Sequence, residues 1–245
     1  MALFKVWESF LDIIYPMDIR CILCNETGEG ITNYGICKAC LGDLPFIQPP
    51  YCGKCGKTVT RQGELCPDCR DSNHPYKEGL AIFEYRDGIR DLIHRYKYGG
   101  EKYLSMPMSR WMTKGLKTRN WSFDFVVPVP LHPARLRERG FNQSQLLASR
   151  ISRDAGVPLL DKGILRIKNT PHQTKLNRQE RLQNLKDAFA VREKDRALGT
   201  IQGKTLLLVD DVYTTGSTVG KCTDILLENG AADVYVITLA AGTYV

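Results

Sequence analysis

Two adjacent carboxylates, Asp210 and Asp211, end an apolar run from Leu206 to Val209. Val212 and Tyr213 follow, and then a loop of small and hydroxylated residues: Thr214, Thr215, Gly216, Ser217 and Thr218. Backbone N–H groups of such a loop, at the start of a helix, form an anion cradle with the helix dipole in the favourable sense. The hydroxyls add donors, and Gly216 lets the backbone approach a ligand closely. Two neighbouring carboxylates suit acceptance from ribose hydroxyls, or capture of a metal through its waters. A plain helix cap with acidic neighbours uses similar residues, but the strand, acid pair and loop in this order are more specific.

The second chemistry is carried by thiols. Eight of the nine cysteines form four CxxC pairs: Cys21/Cys24, Cys37/Cys40, Cys52/Cys55 and Cys66/Cys69. A CxxC turn aims two thiolates at one centre, and two such turns complete a tetrahedron around zinc. Sequential use is expected, the first pair with the second and the third with the fourth. Closed four-cysteine sites hold structural zinc, because no coordination position is left for substrate. A disulfide framework fits poorly, since no secretory signal is recognised and a large α/β domain is attached. Cys222 is spaced helically with Val219 and Leu226 and reads as a small core residue.

The elements that must position these groups alternate in character. Strand-like runs occur at 80–85, 123–129, 163–167, 187–191, 204–210 and 233–239, with helix-like runs near 88–98, 104–117, 142–155, 177–186 and 216–228. This alternation predicts an α/β fold with a mostly parallel sheet covered on both faces, with ligands at the carboxyl ends of its strands. The boundary is expected near residues 73–75, giving a ribbon segment over 1–74 and the α/β domain over 75–245. At 245 residues the chain has room for one ordinary α/β domain and a small module. The amphipathic N-terminus, interrupted by Glu8 and Asp12, reads as a docking helix, and no apolar run is long enough to span a membrane. The net charge of +7 is unevenly placed: residues 132–181 hold eleven Lys and Arg against four acids, and elsewhere 23 bases balance 23 acids. Such a stretch favours a phosphate-rich partner, although a merely solvated basic surface has the same composition.

The strand, acid pair and loop of 206–218 resemble the fingerprint of the type I phosphoribosyltransferases. Further segments narrow the resemblance: Val127 to Leu131 leading into Arg135, Arg137, Arg139, Asn142 and Gln143, then Thr170-Pro171-His172-Gln173 with Arg178, Arg181 and Asn184. With the paired CxxC units ahead of them, these look like the ComF family of competence proteins, over essentially the whole chain. The resemblance implies a Rossmann-like parallel sheet of about five strands, preceded by a double zinc ribbon. It implies that Asp210 and Asp211 meet the ribose hydroxyls of phosphoribosyl pyrophosphate, that 214–218 hold its 5-phosphate with Val212 and Tyr213 also in the binding segment, and that Mg²⁺ accompanies the ligand. Pro130 and Leu131 fall in the segment that holds pyrophosphate, and residues 132–142 in a loop that closes over it. The family role implied is natural transformation, helping single-stranded DNA across the inner membrane with a helicase-like translocase and DNA-processing proteins. A cytoplasmic location follows from that role, at the inner face of the membrane if the association is peripheral.

Two readings of the chemistry stay open. One is a Mg²⁺-dependent phosphoribosyltransferase with an unidentified acceptor, in which Asp210 and Asp211 are catalytic and Arg135, Arg137 and Arg139 stabilise the leaving pyrophosphate. The other is a nucleic-acid-binding protein in which the same arginines, with Asn142, Gln143, Gln173, Arg178 and Arg181, contact phosphate or DNA. Phe141, His172, Tyr96, Tyr98 and Tyr103 would offer stacking surfaces for bases, though packing explains the tyrosines equally well.

Overall fold

The computed structural model describes residues 20–27, 30–168, 188–191 and 201–243. Four strands, β1 (Glu78–Glu84), β2 (Phe125–Pro128), β5 (Thr205–Tyr213) and β6 (Asp233–Ala241), form one sheet in the order β1-β6-β5-β2. Every pairing in it is parallel. The central strand β5 buries Leu206, Leu207, Leu208 and Val209, the unbroken apolar run of a strand covered on both faces. Alternate residues supply the two faces. Leu207 and Val209 join Ile237 and Leu239 on one, and Leu206 and Leu208 join Val234 and Val236 on the other.

The first face is covered by α3 (Asp87–Tyr98), α4 (Ser105–Leu116) and α6 (Gln143–Ala155), through residues such as Leu92, Met108 and Leu147. The second is covered by α7 (Ser217–Glu228), where Val219, Cys222 and Leu226 face inward as their spacing predicts. The CxxC units do not gather at one end. Cys21, Ile22 and Ile36 of the first unit join the first core, whereas Cys52, Cys55, Cys66 and Cys69 join the second. The segment linking the units runs along the outer edge of β1. There Ile47 N–H donates to the Ile82 carbonyl (3.0 Å), Glu84 N–H donates to the Pro45 carbonyl (2.8 Å), and the Phe46 and Phe83 rings lie 4.6 Å apart. An exposed sheet edge is thereby closed to pairing with another chain. Short helices, α1 (Lys38–Gly42) and α2 (Pro67–Asp71), complete the two units.

The sheet differs from the sequence expectation in three ways. The runs at 163–167 and 187–191 become β3 (Ile164–Arg166) and β4 (Phe189–Val191), which pair antiparallel with each other instead of joining the sheet. Among the described residues the sheet has four strands, with a single parallel bridge from Leu159 to Val126 beyond β2. The segment expected as a loop after Leu131 contains α5 (Pro133–Arg139). Its signals were present: Pro133 opens it, His132 Nδ1 caps it at the Ala134 N–H (3.2 Å), and Gly140 ends it at φ 78°. The N-terminal segment to residue 19 and the helix expected at 177–186 lie outside the described residues, as do Gln173, Arg178 and Arg181. No described helix is long and apolar enough to cross a membrane.

Candidate functional site

β5 runs beyond β2, whose pairing stops at Pro128 opposite Val209, so Asp210 and Asp211 emerge past the end of their neighbour. The strand itself does not end at the acids. It pairs with β6 through Tyr213, opposite Ala241, and this holds both carboxylates in extended backbone. Both are buried. Asp210 Oδ1 accepts from the Ser144 hydroxyl (2.8 Å) and from the Asp211 N–H (2.9 Å), while Asp211 Oδ2 meets Lys97 Nζ at 2.8 Å. Burial and the adjacent Asp211 carboxylate push the Asp210 carboxyl up to about 7. For Lys97 burial acts downward, but the two carboxylates outweigh it, and its affinity for the proton rises.

The loop after Tyr213 turns at Gly216, whose φ of 81° places it in the left-handed region as the cap of α7. The Thr215 and Ser217 hydroxyls lie 2.8 Å apart. A Cβ on Gly216 would fall 2.1 Å from Tyr213 Oη and 2.7 Å from His74 Cε1. Gly216→Ala therefore combines an unfavourable φ with overpacking, and is expected to lower stability by about 2–4 kcal/mol. Urea denaturation checks this; an unchanged midpoint would mean the loop is loose at this residue.

The cavity in front of these groups draws together most of the residues singled out in the sequence. Its walls include Pro130, Leu131, Arg135, Arg139, Gln143, Asp210, Asp211, Val212, Tyr213, Thr214, Gly216 and Thr218. Thr215 and Ser217 are not on the wall, and Arg137 is exposed on the outer side of α5. Asn142 is a scaffold residue: its side chain caps α6 at the Ser144 N–H (3.1 Å) and donates to the Val129 carbonyl (3.1 Å). Three cations, Lys97, Arg135 and Arg139, also line a recess of about 420 Å³ beside the cavity, with Gly99 and Gly100. Arg139 bonds Gln143 Oε1 and stacks 5.1 Å over the Tyr98 ring.

Sequence reasoning missed Lys97, Ser144 and Arg166. Arg166, on β3, reaches the cavity wall and stacks 5.4 Å from the Phe189 ring; burial, then the neighbouring Arg135, lowers its affinity for the proton. Lys97 lies two residues before Gly99-Gly100, and that glycine pair was the available signal. Of the proposed stacking surfaces, Tyr96 is fully buried and donates to the Gln143 carbonyl (2.8 Å), and Phe141 is buried beside it. Tyr103 is engaged by Glu101 (2.6 Å), whereas Tyr98 stays exposed.

The cysteines assemble as two tetrads, Cys21/Cys24/Cys37/Cys40 and Cys52/Cys55/Cys66/Cys69, the sulfurs of each within 4.8 Å of one another. Four sulfurs at about 2.3 Å from a tetrahedral zinc are about 3.8 Å apart. The Cys24–Cys37 and Cys55–Cys66 separations of 3.9 and 3.5 Å fit that geometry. Both tetrads are closed four-thiolate sets suited to structural zinc, and the sequential pairing holds.

Residues 10–70 match the double zinc ribbon domain, and residues 139–243 match the phosphoribosyl transferase domain. Competence protein F of Haemophilus influenzae is 28% identical over 228 residues, spanning 91% of this chain and 97% of its own length. DNA utilization protein YhgH of Escherichia coli K12 is 32% identical over 225 residues, spanning 88% and 94%. Competence protein ComFC of Streptococcus pneumoniae is 30% identical over 237 residues, spanning 90% and 99%. Two thiolate tetrads followed by an acid-pair loop on a parallel sheet, aligned with these relatives over 88–91% of the chain, place it in the family of competence protein F, ComFC and YhgH.

Proposed function

We propose that this protein serves natural transformation, binding phosphoribosyl pyrophosphate in the cavity at the end of β5 and single-stranded DNA through its basic stretch, residues 132–181. The observation that carries the reading is the convergence of the acid pair, the left-handed loop at Gly216 and four cations, Lys97, Arg135, Arg139 and Arg166, on one cavity. In this reading Asp210 and Asp211 accept ribose hydroxyls, and the start of α7 receives a phosphate. Mg²⁺ arriving with the ligand would sit against Asp210 and Asp211 through its waters and offset the charge that they and the pyrophosphate carry. Lys97, Arg135 and Arg139 are suited to the pyrophosphate. Membrane contact would be peripheral, with the helicase-like translocase and DNA-processing proteins as partners. Titration calorimetry with Mg²⁺ and phosphoribosyl pyrophosphate tests the pocket, and absence of saturable binding would sink it. Binding of single-stranded DNA should weaken steeply as salt rises, because each phosphate contact releases counterions. The transferase reading rests on Arg135 and Arg139 lining the same cavity, where they can stabilise a leaving pyrophosphate. Its test is pyrophosphate release on screening nitrogenous acceptors.

The raised pKa of Asp210 gives this site a pH signature. The ionised carboxylate attracts a hydrated cation and accepts a hydroxyl more strongly than the neutral acid does, so Mg²⁺-bearing ligand and proton compete. Below a pKa of about 7 the affinity for Mg²⁺ and phosphoribosyl pyrophosphate should fall by up to about tenfold per pH unit. Calorimetry between pH 5.5 and 8.5 reads this directly; a flat profile, after correction for the ligand's own titration, would remove Asp210 from the contact.

A further inference from the structure

The second zinc ribbon reaches the candidate phosphate loop through one buried ammonium. Lys57 lies two residues after Cys55, and Asp68 lies between Cys66 and Cys69. Their side chains pair at 2.8 Å and are 3% and 10% exposed. The same Lys57 Nζ donates to the carbonyl of Thr214, the residue that opens the loop, and sits 5.3 Å from the Tyr213 ring. A second strut runs alongside: Tyr213 Oη is 2.7 Å from Tyr76 Oη and 4.0 Å from Cys69 Sγ. His74, between the ribbon and β1, packs against Gly216 and Gly220.

This arrangement determines which way the loop's first peptide, between Thr214 and Thr215, points. In a trans peptide the carbonyl and the following N–H face opposite ways. With the Thr214 carbonyl drawn to Lys57, the Thr215 N–H is turned away from the ribbon. An anion site at a helix N-terminus depends on such N–H groups being held in place before the ligand arrives. Among the described residues the first ribbon has no comparable position. It packs on the opposite face of the sheet, where Arg95 Nη1 donates to the Ile22 carbonyl (2.5 Å) and Arg110 to the Asn33 carbonyl.

We propose that Lys57 is a positioning residue for the 214–218 loop, and that the Cys52/Cys55/Cys66/Cys69 zinc site sets the loop's affinity for a phosphorylated ligand through the Lys57–Asp68 pair. The inference rests on the reading of the loop as a phosphate site. It has a reciprocal: whatever the second zinc contributes to ligand affinity, the ligand returns as protection of that zinc.

The test has two arms, both on the full, zinc-loaded chain. In the first, Lys57→Met and Lys57→Met/Asp68→Asn are titrated with Mg²⁺ and phosphoribosyl pyrophosphate, and zinc is counted by native mass spectrometry. The expected result is two zincs per chain with affinity weakened about tenfold or more. In the second, unaltered protein meets a zinc-selective chelator and an alkylating reagent, with or without the same ligand, and alkylated cysteines are mapped by peptide mass spectrometry. The ligand should slow modification of Cys52, Cys55, Cys66 and Cys69 and leave Cys21, Cys24, Cys37 and Cys40 unaffected. No binding by the unaltered protein sinks the pocket reading itself. Normal binding by the variants, or equal protection of the two tetrads, overturns this inference and leaves the pocket standing. If the variants lose zinc or fail to fold, the second arm decides alone.

Discussion

Asparagine at position 210 is expected to weaken binding of phosphoribosyl pyrophosphate severely and, above pH 7, to make the free protein more stable. The two outcomes share one cause. Asp210 is buried beside a second buried carboxylate, and its charged form is held by one hydroxyl, from Ser144, and one N–H, from Asp211. A carboxyl raised from an ordinary value near 3.8 to about 7 is protonated in the folded chain between those pH values, where the unfolded chain is ionised. The folded state then binds the extra proton, so stability declines as pH rises from about 4 to 7 and stays low above. Asparagine removes that penalty, on the order of a few kcal/mol, and its amide oxygen can still accept from Ser144. Binding should weaken by about 100-fold or more, the scale for losing one partner of a buried charged contact. Asp211→Asn should behave differently, because it strands the Lys97 ammonium that Asp211 holds at 2.8 Å. That variant should lose both ligand and stability, and Lys97→Met added to it should restore the stability alone. Calorimetry and thermal melts at pH 8 separate these cases. A stable Asp210→Asn protein that binds ligand normally would show that the acid pair is not the ribose contact.

The contrast between Asp210 and Asp211 was not legible in the sequence, where the two carboxylates are equivalent. What distinguishes them is long-range: Lys97 comes from α3 and Ser144 from α6, more than 60 residues away in each case. The loop itself was legible because its chemistry is local; an apolar strand, two acids and a left-handed glycine need no distant partner to be recognised. The cysteine tetrads were legible for the same reason, since a CxxC turn fixes two ligands at once. The division of the ribbons between opposite faces of the sheet was not. It depends on Ile22 and Ile36 finding one core, and on Tyr76 with the second tetrad finding the other. β3 and β4 misled for a related reason. Their short apolar runs satisfy a strand pattern but carry no information about which neighbour they pair with. Tyr96 shows the limit of composition: flanked by Arg95 and Lys97, it looked like a stacking surface, yet helical phase turns it into the core between them.

That division of the ribbons makes zinc removal the most destructive change expected for this protein. Structural zinc in small peptides contributes about 10–16 kcal/mol at neutral pH, as much as the whole stability of a typical domain. Here the ribbons also bring Cys21, Ile22 and Ile36 to one core and Tyr76 with four cysteines to the other, so neither core stays covered without them. The linking segment that pairs with β1 is anchored at both ends by zinc sites, at Cys40 and at Cys52. Releasing those anchors frees the outer edge of β1, with Phe83 behind it, and an unpaired strand edge recruits further chains. Chelation under reducing conditions should therefore lower the melting temperature and produce concentration-dependent aggregation, with most of the helical circular dichroism retained at first. The first tetrad should yield before the second, because Cys24 is exposed whereas all four cysteines of the second tetrad are buried. Light scattering with parallel zinc counting follows both events, and zinc returned before aggregation should restore the original melting temperature. A chelated protein that stays monodisperse and melts where the zinc-loaded form does would mean that the sheet holds its own edge, with the ribbons as passengers.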